Sequence, residues 1–547
     1  MTYDKYTFRS NVSLKITKDL TASINLGGRY DTTNRPWFPF YDIFKSTRVN
    51  PPTTSIYAND NPDYYNNFSY VPNPAAMIDA DYTGSAKERN KNLQTQFALE
   101  YNIPYVKGLK VKGTFIYDYN NYGYKATRKG FKTYTYGEYT GEYTAADANY
   151  PALLQDNRRE SERVDMQFQT NYNRTFGNHT IGATYVFERR EEKANWMNGE
   201  RKFDFFTIGE LDNARESDQK VSGSSEHQAY LSHIGRLTYD YKGKYLAELA
   251  CRYDGSYRYA PGSRWAFFPS ASVGWRISEE SFIKDNFKFV DNLKLRLGYG
   301  KTGNSSVDPY QTRGKLGKKR YVYNNGATEI MGYAPSLMAN STLTWETTDQ
   351  WNIGLDFGFL KNRINGSVEL YLQNTHDLLL ERQLPVVSGF SSVMSNVGST
   401  RNKGIEITLN TRNIQTKNFT WSTDWMFSAN KEEIVELYNG KSDDIGNRWF
   451  IGNPIDVYYN YEKIGIWQDT PEDLAEMAKF NEKGGNFTVG SIRLRDVDGD
   501  YKITDKDKII LGNERPKFVA SLVNNIEYKG FDFSIFLYAS VGRMLKN

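Results

Sequence analysis

The chain has 547 residues, 15% of them aromatic, and its 69 basic and 65 acidic residues leave a formal net charge of +4. Both signs are scattered without a polybasic run, which argues against nucleic acid as a partner. A charged share of 24% and a mean hydropathy of -0.69 exclude a helical membrane protein, whose spans need about 18 uninterrupted apolar residues each.

Met1, Thr2, Tyr3 and Asp4 lead straight into a strand pattern without the basic and apolar regions of a secretory signal. Because everything downstream points to an exported protein, the chain reads as a fragment. Period-two alternation then recurs to the end, and helical periodicity is nearly absent. Leu109, Val111, Phe115, Tyr117 and Tyr119 share one face, with Lys110, Lys112, Thr114 and Asp118 on the other. Val164, Met166, Phe168 and Tyr172 oppose Arg163, Asp165, Gln167 and Asn171; Cys251, the single cysteine, reads as a small packing residue in a strand. Ile364, Val368, Leu370 and Leu372 oppose Asn365, Ser367, Glu369 and Gln373, and Phe531, Phe533, Ile535 and Leu537 close the series.

A soluble sandwich also alternates, so the connections decide. Tight turns are expected at Lys18 and Asp19, Gly177 and Asn178, Lys242 and Gly243, Leu360 to Asn362, Asn413 to Lys417, and Lys529 and Gly530. Between the paired strands lie long segments, at 32–91, 121–160, 191–225, 303–344, 375–401 and 431–516. Two connections depart from the rule: Ser278 to Asp291 is long for a turn, and Gly255 to Ser263 is short for an outer loop. Alternation of short and long is what a membrane barrel shows when one rim faces the periplasm and the other faces outside. About sixteen strands are expected, each needing only about 10 residues to span. Aromatics near strand ends, such as Tyr30, Tyr119, Tyr172, Trp351 and Trp425, fit girdles at the two water interfaces. The expected fold is all-β, a transmembrane antiparallel β-barrel with long extracellular loops.

Gly298, Gly300 and Gly303 match a dinucleotide-binding GxGxxG after an apolar strand, but Ser305, Ser306, Asp308 and Pro309 follow where a helix must receive the pyrophosphate. The four histidines are far apart, and no nucleophile elbow or paired cysteine is present, so no catalytic constellation emerges. A metal signature is stronger. In RDVDGDYKITDKD, Asp496, Asp498 and Asp500 take positions one, three and five of an EF-hand-like loop, Ile503 the apolar eighth and Asp507 the twelfth. The expected Ca²⁺ shell is those four carboxylates, the Lys502 carbonyl and Thr504. Position six, normally Gly for its positive φ, is Tyr501, which costs about 1 to 2 kcal/mol if the backbone keeps that shape. Trp196, Trp449 and Phe450, aromatics in otherwise polar stretches, are expected to offer flat faces to sugar rings.

Several stretches resemble the barrel half of the SusC/RagA family of TonB-dependent transporters. They are YDGSYRYAPGSRWAFFPSASVGWRISEE from Tyr253 to Glu280, NLKLRLGYGKTGN from Asn292 to Asn304, WETTDQWNIGLDFGFLKNRINGSVELYLQNTHDLL from Trp345 to Leu379, NKGIEITLNT from Asn402 to Thr411, and the aspartate loop, where the family usually shows Gly at position 501. The resemblance implies a 22-stranded outer-membrane barrel with an N-terminal plug and TonB box, capped by a SusD-like surface lipoprotein. This chain would be an incomplete barrel domain over 1–547, lacking plug, TonB box and last strands. On that reading the protein imports oligosaccharides or oligopeptides, contacts TonB through the plug region, sits in outer-membrane lipid and needs no organic cofactor. The rival readings are a surface adhesin or structural barrel, and a siderophore or cobalamin receptor.

Overall fold

Sixteen antiparallel strands hydrogen-bond in chain order in one sheet of the computed structural model, which describes residues 1–205, 208–323, 326 and 328–546. We number them β1 Thr2–Lys15, β2 Leu20–Pro36, β3 Gly84–Asn102, β4 Leu109–Arg128, β5 Ala152–Phe176, β6 His179–Phe203, β7 Lys220–Tyr241 and β8 Tyr245–Ser256. The series continues with β9 Trp265–Arg276, β10 Val290–Asn304, β11 Glu346–Phe359, β12 Ile364–His376, β13 Ser399–Gln415, β14 Phe419–Glu436, β15 Phe518–Tyr528 and β16 Phe531–Val541. Two compact units share these strands. One comprises Met1–Tyr172 with Thr184–His233, the other Asn173–Ala183 with Ile234–Asn547.

One rim is closed by short turns whose conformations follow from the local sequence. Lys242 and Gly243 have φ of 53° and 66°, and Lys529 and Gly530 have 46° and 91°. Positive φ at both central residues matches the twist of the flanking strands, and a glycine at the second position adopts it without strain. Leu360, Lys361 and Asn362 all hold positive φ and make the tightest departure from this economy. The long Ser278 to Asp291 connection folds back on the neighbouring turn, where Glu280 accepts from Tyr245 Oη at 2.6 Å and from Trp275 Nε1 at 3.2 Å.

The other rim differs from the sequence expectation in one respect: its strands run further. The β5 and β6 strands have 25 residues each, more than twice the length a spanning strand needs. The expected loops 121–160, 191–225 and 431–516 therefore shrink to 129–151, 204–219 and 437–517. Residues Gln155 to Glu162 are all polar, so no alternation of hydropathy marks them as a strand.

The membrane part shows the opposite polarity to a soluble sheet. Along β10, β11 and β12, Leu297 pairs with Ile353 and Ile353 with Leu370, while Tyr299 pairs with Trp351 and Trp351 with Leu372. These apolar rungs are exposed, with Ile353 and Leu370 each at 49%. The alternate face of the same strands carries Arg296, whose guanidinium donates to both Asp356 and Glu369. Exposed hydrocarbon on one face and an ion-pair network on the other is the arrangement that lipid selects.

Candidate functional site

The aspartate loop lies between the strands Ile492–Leu494 and Lys508–Asn513, beside the helix Pro471–Glu482. That helix starts where Thr470 accepts from the N–H of Asp473 and Pro471 sits in its first turn, a position where the missing N–H is no loss. Arg493 holds it in place, donating to Asp473 at 3.0 Å and Glu476 at 2.5 Å, with its guanidinium over the Trp467 ring. Trp467, Met477 and Phe480 form a buried cluster under the helix, and Phe487, Tyr501 and Ile503 pack against it.

Tyr501 holds φ of 60°, the left-handed conformation that an EF-hand-like sixth position demands. Its ring lies edge-on to Phe480, with centroids 5.5 Å apart, and beneath the ammonium of Lys479. An aromatic pair stabilises by about 1 kcal/mol, which offsets the backbone strain of a non-glycine residue there. Ile503, at the eighth position, is directed into the same cluster as expected.

Asp496, Asp498 and Asp500 each offer a carboxylate oxygen within 4.8 Å of the other two. Asp496 accepts from the N–H groups of Gly499 and Tyr501, both at 2.8 Å, and Asp500 accepts from Lys502 N–H at 2.7 Å. The donor set is hard oxygen throughout, which suits Ca²⁺ better than a softer ion. Asp507 is placed differently from the sequence expectation. It is fully buried, and its carboxylate accepts from Val497 N–H at 2.8 Å, Thr504 N–H at 2.7 Å and Thr504 Oγ1 at 3.3 Å. Thr504 and Asp507 thus form a reciprocal cap that closes the loop from behind, rather than joining the three converging carboxylates. Aspartate is one methylene shorter than the usual glutamate at position twelve. Burial pushes the Asp507 carboxyl up, but the N–H groups of Thr504 and Val497 outweigh it and hold the group below its ordinary 3.8.

The three ligand aromatics expected from sequence are not gathered into one surface within either unit. Trp196 stands in β6 of the first unit rather than in a loop, and is 41% exposed. Trp449 and Phe450 belong to the second unit, where Phe450 is buried and packs on Tyr459 at 4.8 Å. Phe450 therefore presents no face to a ligand. A larger aromatic group, not expected from the sequence, lies in the first unit: Tyr64 meets Tyr134 and Tyr143 at 4.5 Å, and Tyr65 packs on Tyr57 and Tyr82. The Tyr-Tyr pair at 64–65 and the alternating Tyr134 and Tyr136 were the available signal. The GxGxxG glycines lie in β10, and the Phe268 ring occupies the space a Cβ at Gly303 would need, 2.0 Å away.

A family model described as TonB dependent receptor-like, beta-barrel matches residues 36–504. The chain belongs to that family. TonB-dependent receptor P3 of Formosa agariphila is 30% identical over 571 residues, covering 100% of this chain and 54% of the relative. TonB-dependent receptor SusC of Bacteroides thetaiotaomicron is 34% identical over 334 residues, covering 57% of this chain and 31% of SusC. The RagAB peptide importer in its open-open state superposes with a TM-score of 0.77 at 19% identity, covering 99% of this chain and 57% of that one. The receptor barrel is thus an outer-membrane barrel of SusC/RagA type. It spans about half the length of the curated relatives it matches.

Proposed function

We propose that this chain is the barrel wall and outer rim of an energy-coupled importer of oligosaccharides or oligopeptides, too large for simple porins. The observation that carries the reading is the polar face of the wall, where Arg296, Asp356 and Glu369 offer charge and hydrogen bonds to a solvated passage while the opposite face is hydrocarbon. Membership of the receptor family and the RagAB-like fold support it. Ligand binds among the outer segments, TonB acts through a plug region, and a SusD-like surface lipoprotein closes over the ligand. No covalent chemistry is required of the chain.

Ca²⁺ on Asp496, Asp498 and Asp500 has a structural role in this reading. It screens three converging carboxylates and holds segment 437–517 in one shape, with affinity in the extracellular range of about 10⁻⁴ to 10⁻³ M.

The experiment is deletion of the full-length gene, followed by growth and uptake with defined glycans and defined peptides as sole nutrient. Loss of uptake of one class, restored by the gene, supports the importer. Unchanged uptake of every ligand with loss of surface attachment would favour an adhesin instead.

A further inference from the structure

On β3 the odd-numbered residues form the outward face: Leu93, Phe97, Leu99 and Tyr101 are all exposed hydrocarbon. Continue along that face toward the long-loop rim and the chemistry changes abruptly, to Lys91, Arg89 and Lys87, also exposed. None of these three makes an ion pair among the described residues. The register adds two more cations. Lys87 stands directly opposite Lys125 of β4, and Arg89 stands opposite Gly123, whose other neighbour in the sheet is Arg158 of β5.

Like charges directly opposite in a sheet repel, and while Glu210 pairs with Lys125, Lys87 across from it has no ion-pair partner among the described residues. Gly123 is the floor. With no side chain there, a cavity of about 230 Å³ opens, lined by Lys87, Arg89, Lys91, Lys125 and Arg158, with no carboxylate in its wall. Two of the five cations already have partners, Arg158 in a two-point contact with Asp156 at 2.7 and 3.0 Å and Lys125 with Glu210 at 2.7 Å, and Glu160 accepts from Tyr119 Oη, which leaves Lys87, Arg89 and Lys91 for an anion.

Lys91 also lines a second cavity of about 390 Å³, together with Tyr6, Phe8, Tyr30, Leu93 and Tyr119. This second cavity is aromatic and apolar, and lies on the membrane side of the basic one. Tyr6 and Tyr30 stack across β1 and β2 at the level where an interfacial girdle belongs. A basic pocket immediately above an aromatic belt, joined through one lysine to an apolar groove, has the polarity of an amphiphile whose headgroup carries phosphate. We propose that this surface is a binding site for a phosphorylated glycolipid of the outer leaflet, with phosphate among Lys87, Arg89 and Lys91 over Gly123 and an acyl chain along Phe8 and Leu93.

The test uses the full-length parent protein in mild detergent, with native mass spectrometry and three probes: a diphosphorylated glucosamine lipid, the same lipid with both phosphates removed, and inorganic phosphate. The diphosphorylated lipid should be retained at one equivalent. Removing its phosphates, or making Lys87→Gln with Arg89→Gln and Lys91→Gln, should weaken retention roughly a hundredfold, since each basic side chain at an anionic headgroup layer contributes about a fivefold effect. Gly123→Leu keeps all five charges and fills the floor, so it should weaken retention as well. Lys318→Gln with Lys319→Gln, in the exposed hairpin strand Lys315–Tyr323, should leave it unchanged. Heat-modifiable gel migration checks that each variant is folded. Equal retention of the dephosphorylated lipid, or of the parent and the triple variant, would overturn the proposal. So would inorganic phosphate held as tightly as the lipid, which would make this an anion site only.

Discussion

The guanidinium of Arg296 in β10 donates to the carboxylate of Glu369 in β12 at 2.5 Å, reaching across the intervening strand where Gly354 leaves room. A Cβ on Gly354 would lie 2.8 Å from the guanidinium carbon. Arg296 also holds Asp356 through two bonds of 2.8 Å, so one cation ties three strands on the polar face.

Gly354→Val is expected to displace Arg296 and leave Glu369 without its partner. The cost should be about 1 to 3 kcal/mol, the penalty for unpairing a partly buried charged hydrogen bond. Denaturant unfolding of the lipid-reconstituted barrel measures it. A stability equal to the parent would show that the guanidinium finds another route to Glu369.

Calorimetry on the full-length barrel should show calcium-dependent heat at millimolar Ca²⁺ that disappears in Asp498→Ala. Asp498 is exposed and accepts no backbone hydrogen bond in the loop, so its removal leaves the loop's own bonds intact. Heat that persists in the variant would place the ion elsewhere, and no heat in the parent would leave the loop an ordinary acidic turn.

The loop should also loosen in acid. A carboxyl held below its ordinary value contributes stability above its unfolded value of 3.8, and that contribution is lost as pH falls through the lower folded value. Amide exchange at Val497 and Thr504, whose N–H groups bond Asp507, should therefore accelerate below pH 3.8 and not above it. In Asp507→Asn these amides should be fast at neutral pH already, with the acid step gone.

Proteolysis of intact cells carrying the full-length protein should cut within 37–83 or 305–345 and spare the turns at 242–243 and 360–362. Those turns close the rim opposite to the long segments. Cleavage at the turns in sealed cells would reverse the orientation.

The number of strands and the two rims were legible because hydrocarbon must recur at every second residue wherever a strand crosses lipid. Strand ends were not, since from Gln155 to Glu162 in β5 polar residues alternate with other polar residues. At the aspartate loop the positions of Asp496, Asp498 and Asp500 were legible from spacing, and so was the positive φ at Tyr501. The role of Asp507 was not, because the same aspartate serves equally as ligand or cap, and only the N–H groups of Val497 and Thr504 pointing at it decide. The phosphate-site candidates lay in plain view as Lys87, Arg89 and Lys91, but their shared cavity depends on which residue of β4 stands opposite each, and that register is set by the 103–108 turn.

The extension of β5 and β6 past the membrane has an evolutionary consequence. Side chains there are presented by a hydrogen-bonded ladder rather than by a pliant loop, so a substitution changes what the rim displays without altering where it is displayed. Length changes behave differently. Removing one residue near Gln155 turns every following position from the inner surface to the outer until the ladder is restored. What this collar displays can therefore change by point mutation, whereas insertions and deletions are tolerated in segments such as 129–151, beyond the last rung.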